Sequence, residues 1–335
     1  MNKIIRFFTI FLLLIIVVYL MGPKPPMVEL NKDLPSISAS ISNIEDYAHK
    51  NDEGLTLKPD NQSRIIWAND TVKERTNYSL LYLHGFSASW YEGYPANMEF
   101  AKHFGCNAYF PRLASHGIET GDALIDMTPD RLWESAKDAL MVARTLGKKV
   151  IVMSTSTGGT LALKLAADFP EYVDGLILYS PNIRINNHTA FLLSKPWGLQ
   201  IGRNAIGGTH RVVNDDFNSK ICQYWNCKYR VEAVVFLQQL VEETMNNQTF
   251  KNVNEPVFLG YYYKDEILQD DVVKVDAMLK MFDQLGTPGE QKVKMAFPEA
   301  ENHVIACDIT SGAYKEVGAE TIKFGEEILK MKPVK

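Results

Sequence analysis

Residues 150–160 read Val-Ile-Val-Met-Ser-Thr-Ser-Thr-Gly-Gly-Thr, a β-branched apolar run that ends in small residues and then opens a helix-like stretch. This layout is typical of a nucleophile elbow, in which a serine occupies a sharp turn between a strand and a helix. The turn crowds the serine against the residues two positions away on either side, so both must be small, and here they are Ser154 and Gly158. We interpret Ser156 as a candidate nucleophile. The alternative is a Ser/Thr/Gly-rich loop that binds a phosphate or nothing.

Strand and helix patterns alternate on both sides of this stretch, which predicts a mostly parallel sheet covered on both faces. The pattern breaks between Ile183 and Asn254, and we interpret residues 184–253 as a cap inserted over the carboxyl ends of the strands, where open α/β sheets bind ligands. The predicted strands cover residues 79–83, 107–111, 149–153, 175–179, 256–262 and 291–297, and the helices cover residues 94–104, 129–146, 158–169, 231–245, 271–285 and 317–330.

A nucleophilic serine needs a base and a group that orients the base. In this topology the chain order is nucleophile, acid, histidine. Asp265 follows the strand predicted at 256–262 and is the candidate acid, with Glu266 as the next choice. His303 lies between the last strand and the last helix and is the candidate base for Ser156. The alternatives are a solvated acidic loop and an ordinary surface histidine.

An oxyanion hole needs two backbone amides. The residue after the nucleophile, Thr157, supplies one of them. The loop His84-Gly85-Phe86 follows an earlier predicted strand, and its glycine lets the backbone turn so that the Phe86 amide supplies the other. We expect His84 to be a structural hydrogen-bonding residue under this turn.

Through several motifs the chain resembles members of the α/β-hydrolase superfamily. The similar branch contains monoglyceride lipases, bacterial carboxylesterases and serine aminopeptidase-like hydrolases. The resemblance covers about residues 55–330, except most of the cap. Ser154 departs from the branch by replacing the first glycine of the elbow, and Ser115 departs by replacing the glycine usual before His-Gly. In the order that this branch shows, the matching motifs are His84-Gly85-Phe86, Arg112-Leu113-Ala114-Ser115-His116-Gly117, Ser154-x-Ser156-x-Gly158, Asp265 and His303.

This resemblance implies a carboxylesterase- or lipase-like serine hydrolase that cleaves carboxylic esters through an acyl-enzyme. A peptidase of the aminopeptidase-like kind or an acyltransferase would use the same triad, and a non-catalytic binding protein is a third alternative. The expected partner is a small acyl substrate, with lipid-like esters favoured by an apolar cap beside a membrane. We expect no cofactor and no metal, because no Cys/His group has zinc-like spacing.

Composition limits the remaining function classes. The 335 residues are 46% hydrophobic and 22% charged, which is ordinary for a globular protein with a sizeable core. A net charge of −5 without a basic cluster argues against nucleic acid as a partner. Cys222 and Cys227 lie close enough in sequence for a loop disulfide.

The N-terminus differs from the rest of the chain. Lys3 and Arg6 precede an uncharged apolar run over residues 7–21. We expect residues 1–22 to be an uncleaved single-pass membrane anchor that leaves the catalytic body outside the cytoplasm, with a cleaved secretion signal as the alternative. We expect residues 23–54 to form a linker with a short helix, and residues 55–335 to form the catalytic domain with its cap.

Overall fold

A computed structural model describes residues 3–334 of the chain. Its strands are β1 (Arg64–Ile66), β2 (Thr76–Leu83), β3 (Asn107–Phe110), β4 (Gly147–Thr155), β5 (Gly175–Tyr179), β6 (His210–Val212), β7 (Lys228–Arg230), β8 (Val257–Tyr261) and β9 (Lys292–Ala296). Its α-helices are α1 (Lys3–Leu20), α2 (Ile44–His49), α3 (Ala96–Phe104), α4 (Pro129–Leu146), α5 (Thr157–Asp168), α6 (Gly198–Ile206), α7 (Lys220–Tyr224), α8 (Val231–Thr244), α9 (Asn247–Asn252), α10 (Val275–Gln284) and α11 (Tyr314–Glu327).

Seven of these strands form one sheet in the order β1-β3-β2-β4-β5-β8-β9. All neighbouring strands in it are parallel except β1, which runs antiparallel to β3 at the edge. The expected α/β fold with a mostly parallel central sheet is therefore confirmed. The predicted helix at 129–146 and strand at 175–179 have the same bounds in the structure.

The central strand β4 is buried on both sides because each of its faces meets a layer of helices. Val150 and Val152 belong to the core under α4, α5 and α10, whereas Ile151 and Met153 belong to the core under α3 and α11. This alternation is the period of two that a strand imposes on its side chains. A continuous apolar run is therefore what a central strand of this sheet requires.

The chain between β5 and β8 leaves the sheet. It forms α6 to α9 and the antiparallel pair β6–β7. Cys222 and Cys227, whose spacing in sequence leaves a loop disulfide open, form that disulfide within this insertion. Cys106 and Cys307 are free and buried.

The N-terminal helix α1 carries exposed apolar side chains over residues 4–20. The chain just after it contacts the insertion, where the Trp197 backbone amide donates a hydrogen bond to the Pro23 carbonyl (2.9 Å). Over residues 3–334, no helix combines the length and the apolar character that crossing a membrane requires. A membrane anchor is therefore not shown.

Candidate active site

The turn between β4 and α5 places Ser156 in a backbone conformation that residues other than glycine rarely adopt. Its φ is 54° and its ψ is −117°. The Ser156 amide donates a hydrogen bond to the Tyr179 carbonyl (3.0 Å), which ties the turn to the end of β5. A Cβ at Gly158 would lie 1.9 Å from the Leu83 carbonyl oxygen, so only glycine fits there. The local geometry is that of a nucleophile elbow.

The first small position of the elbow accommodates a serine instead of the usual glycine. Ser154 is buried, and its hydroxyl donates a hydrogen bond to the Ile177 carbonyl of β5 (3.3 Å). The extra hydroxymethyl group thus has a hydrogen-bond partner inside the sheet. The replacement leaves the Ser156 turn intact.

His303 lies in the loop after β9, and its imidazole is 8% exposed. Its Nδ1 and the Asp270 Oδ2 are 2.6 Å apart, so the ring nitrogen donates a hydrogen bond to the carboxylate. Burial lowers the pKa of His303, but the charge and hydrogen bond of Asp270 outweigh it and hold the pKa above its ordinary value. Within residues 3–334, Nε2 of His303 is buried without a hydrogen-bond partner.

Asp270 is held in place on its other side by the backbone. Its Oδ1 accepts hydrogen bonds from the Val272 and Val273 amides, each 2.9 Å long. The side chain is 1% exposed. A fixed, buried carboxylate of this kind orients the imidazole and stabilises it when it is protonated.

The structure does not bring Asp265, the candidate acid, to His303, because Asp270 occupies that place. Asp265 is exposed, and its Oδ1 accepts hydrogen bonds from the amides of Leu268 and Ile267 (both 2.8 Å), which lower its pKa. Glu266, the second choice, is exposed and accepts a hydrogen bond from the Tyr263 hydroxyl (3.1 Å). Neither carboxylate contacts His303 in the structure.

The physical reason is a short excursion of the chain after β8. Tyr263 and Gln269 form an isolated antiparallel bridge, and the Lys264 amide donates to the Leu268 carbonyl (2.8 Å). The residues that follow the strand directly therefore turn outward, and the chain returns to the site only at Asp270. The sequence signal was weak: an aspartate two residues before a valine pair of which only Val273 is buried.

The loop that follows β2 carries His84, Gly85 and Phe86. Nδ1 of His84 donates a hydrogen bond to the Gly85 carbonyl (2.9 Å), and Nε2 accepts one from the Leu113 amide (3.1 Å). Burial lowers the pKa of His84 well below its ordinary value, so the ring is neutral. The contacts match the structural role expected for His84. The Phe86 ring packs edge-on against Tyr229 of β7, 5.0 Å between centroids.

The two amides predicted for an oxyanion hole lie next to the elbow and in the cavity wall. Thr157 is the first residue of α5, where a backbone amide has no acceptor within its own helix. The next amides already serve the helix, because those of Gly159 and Thr160 donate to the Ser156 carbonyl. Phe86 lines the same cavity as Ser156. The oxyanion role of both amides stays a prediction.

Ser156 and His303 share a cavity of about 770 Å³. Its far walls come from the insertion between β5 and β8 and are mostly apolar. Those apolar lining residues include Leu193, Ile201, Ile206, Val213, Val231, Val234 and Leu237. Over residues 3–334, no group of three or more His, Cys, Asp or Glu side chains is arranged to hold a metal ion. Because its far walls are mostly apolar, the cavity can enclose an apolar group next to Ser156 and His303.

Three solved structures resemble this chain at low sequence identity. A metagenome-derived lipolytic enzyme is 16% identical, with 80% of this chain and 98% of that chain covered and a TM-score of 0.64. The monoacylglycerol lipase of Paleococcus ferrophilus is 12% identical (78% and 96% covered, TM-score 0.54). A soluble variant of the monoglyceride lipase of Saccharomyces cerevisiae is 14% identical (78% and 90% covered, TM-score 0.53). At these identities the similarity shows the fold alone.

No protein of curated function matches the sequence significantly. A family model described as the alpha/beta hydrolase family matches residues 80–283, which is more than half of the chain. The match runs from β2 through the elbow and the insertion into α10. This chain is therefore a member of the α/β hydrolase family.

Proposed function

We propose that this protein is a serine hydrolase that cleaves carboxylic ester bonds, with Ser156 as the nucleophile, His303 as the base and Asp270 as the acid that orients it. The observation that carries the proposal is the state of His303. Asp270 holds one ring nitrogen, the other has no hydrogen-bond partner within the described residues 3–334, and the imidazole lines the cavity that contains Ser156. A serine nucleophile needs a base whose free nitrogen carries no proton and can accept the one that the serine loses.

In the proposed reaction, Nε2 of His303 takes the Ser156 proton while the serine oxygen attacks the ester carbonyl. The amides of Phe86 and Thr157 stabilise the oxyanion of the tetrahedral intermediate. The imidazolium then gives its proton to the leaving alkoxide, which departs as an alcohol and leaves an acyl-enzyme. Water repeats the sequence, attacking the acyl group as His303 takes its proton, and Ser156 and the free acid are regenerated.

The apolar walls of the cavity favour substrates with a hydrophobic acyl group. Burial of such a group against the insertion removes apolar surface from water, which contributes about 25 cal/mol per Å² to binding. The lipolytic and monoglyceride-lipase activities named for structurally similar enzymes support the same substrate class. Small esters with apolar acyl chains are therefore the proposed substrates.

A fluorophosphonate probe tests the nucleophile, because it labels activated serines covalently. We expect the wild type and Ser154→Ala to be labelled, and Ser156→Ala to stay unlabelled. The two serines lie two residues apart and both are buried, so Ser154→Ala is a matched control for the effect of truncation on the fold. Labelling of Ser156→Ala at the wild-type rate would refute the assignment.

A substrate panel tests the bond that is cleaved. p-Nitrophenyl esters of increasing acyl length are compared with aminoacyl p-nitroanilides of matched side chains. We expect turnover of the esters, with kcat/KM rising as the acyl chain lengthens into the apolar cavity. Faster turnover of the aminoacyl amides would instead favour the peptidase alternative on the same triad.

A further inference from the structure

Glu92 is a buried carboxyl group in the candidate site that the proposed reaction does not use. It lies in a single 3₁₀ turn after the His84-Gly85-Phe86 loop, is 2% exposed, and lines the cavity that contains Ser156. One of its oxygens accepts a hydrogen bond from the Gly85 amide. A Cβ at Gly85 would lie 2.8 Å from Glu92 Oε1 and 3.0 Å from the Ser156 Cβ. The carboxyl group and the nucleophile therefore flank the same glycine.

The surroundings of Glu92 favour its uncharged form. Burial raises its pKa to about 8, and the hydrogen bond from the Gly85 amide offsets this only in part. Within residues 3–334, no lysine or arginine side chain forms an ion pair with it. The charge of His303 and hydrogen bonds from the side chains of Trp225 and Tyr82 also lower the pKa of Glu92, but burial outweighs them. A carboxyl group that stays protonated at neutral pH can accept the Gly85 amide with one oxygen and carry its proton on the other.

We propose that Glu92 is a positioning residue that acts only in its neutral form. It holds the Gly85 amide so that the adjacent Phe86 amide faces Ser156, and because it is uncharged it adds no negative charge near the oxyanion. This proposal rests on the proposed serine-hydrolase function. It deepens that function by naming the group that sets the geometry of the loop-side amide.

The charge of Glu92 matters because ester cleavage develops a negative charge close to it. The transition state of ester cleavage carries a negative charge on the former carbonyl oxygen, next to the Phe86 amide. An ionised Glu92 would place a second negative charge on the other side of Gly85. Two such charges about 6 Å apart at an effective dielectric constant of 20 repel enough to slow the reaction by about 100-fold. The ionised form of Glu92 is therefore expected to be almost inactive.

Three other titratable groups interact with Glu92, namely Tyr82, Cys307 and His303. Burial raises the pKa of Tyr82 well above its ordinary value and that of Cys307 to about 12, so both stay protonated near pH 8. His303 and Glu92 affect each other, because the positive charge of His303 lowers the pKa of Glu92 and the negative charge of Glu92 raises the pKa of His303. Their effects on the rate are opposite, since loss of the His303 proton activates the base whereas loss of the Glu92 proton is expected to inactivate the site. A decline of kcat around pH 8 that disappears in Glu92→Gln therefore belongs to Glu92.

The experiment compares pH profiles of kcat and of fluorophosphonate labelling in the full chain for the wild type, Glu92→Gln and Glu99→Gln. Glutamine keeps an oxygen for the Gly85 amide and cannot ionise. We expect the wild-type kcat to fall about tenfold between pH 7 and pH 9, since about nine-tenths of Glu92 is then ionised. Glu92→Gln should lose this decline. Glu99 is an exposed glutamate of α3, and Glu99→Gln should keep the wild-type profile.

A ¹³C-carboxyl titration of the wild type adds a readout that needs no turnover, with the Glu92 signal expected to titrate near pH 8. A decline that persists in Glu92→Gln, or a Glu92 carboxyl that titrates near its ordinary value of 4.5, would overturn the inference. Absence of wild-type labelling would instead count against the proposed function. Should Glu92→Gln fail to fold, the wild-type titration still decides the protonation state.

Discussion

Replacing Asp270 with asparagine keeps the shape of the side chain but removes its charge, and the surrounding backbone dictates how the amide will sit. The Val272 and Val273 amides are donors, so they will keep the asparagine oxygen facing them. The asparagine NH₂ must then face Nδ1 of His303 and donate to it. Nδ1 becomes an acceptor, the ring proton moves to Nε2, and His303 can no longer accept the proton of Ser156.

The size of the effect follows from the lost charge. The Asp270 carboxylate and the His303 imidazolium that forms in the transition state are both buried. Their charges are centred about 4 Å apart, and at an effective dielectric constant of 20 their attraction amounts to about 4 kcal/mol. Each 1.4 kcal/mol changes a rate tenfold, so we expect kcat/KM for Asp270→Asn to fall by about 10³-fold. The wrong tautomer adds to this loss.

The assay is ester hydrolysis followed from about pH 5 to about pH 9, with Asp265→Asn as the matched control on the same loop. Neutral His303 is the active form, so kcat/KM rises with pH through the pKa of His303, which in the wild type lies above its ordinary 6.5. In Asp270→Asn this acid limb should move to lower pH, because the group that raised the pKa is gone. Asp265→Asn should remain within about twofold of the wild type, since an exposed carboxylate contributes little. Equal losses in the two variants, or near-normal turnover by Asp270→Asn, would refute the reasoning.

Three further changes test the framework of the site. Gly158→Ala would bring a Cβ within 1.9 Å of the Leu83 carbonyl oxygen, so we expect a loss of about 3 kcal/mol in urea unfolding and no probe labelling. Ser115 has a φ of 66° and a buried hydroxyl without a partner among the described residues, so Ser115→Gly should raise the unfolding free energy by about 1 kcal/mol. Removal of the Cys222–Cys227 disulfide by reduction should cost about 2 kcal/mol, measured by thermal melts with and without dithiothreitol.

The sheet could be predicted from sequence because its signals are local. The run at 150–153 is apolar at every position, as a strand buried on both faces must be, and Pro129 fits the first turn of the helix that precedes it. The elbow was equally accessible, since its steric demands act on residues two positions from Ser156. His303 followed from chain order alone. Each of these inferences depends on only a few consecutive residues or on order along the chain.

Asp270 and Glu92 could not be found in this way, because what distinguishes them from other carboxylates is their tertiary contacts. Asp265, Glu266 and Asp270 are similar in type and lie within six positions, and the bridge between Tyr263 and Gln269 decides which of them reaches the site. The predicted helix at 271–285 begins only at Val275, because the backbone before it binds Asp270. Glu92 stands among aromatic residues in sequence, and only burial against the Gly85 loop distinguishes it from a surface glutamate.

The two small positions of the elbow are not equivalent. This difference explains how the chain departs from the usual glycine pattern and still forms the turn that carries Ser156. A side chain at position 158 points at the backbone of β2, where nothing can yield. At position 154 it points along β5, where the Ile177 carbonyl accepts a hydrogen bond from the Ser154 hydroxyl. Steric exclusion therefore acts on one side of Ser156 only. A serine on the other side costs little, because its buried hydroxyl has a hydrogen-bond partner.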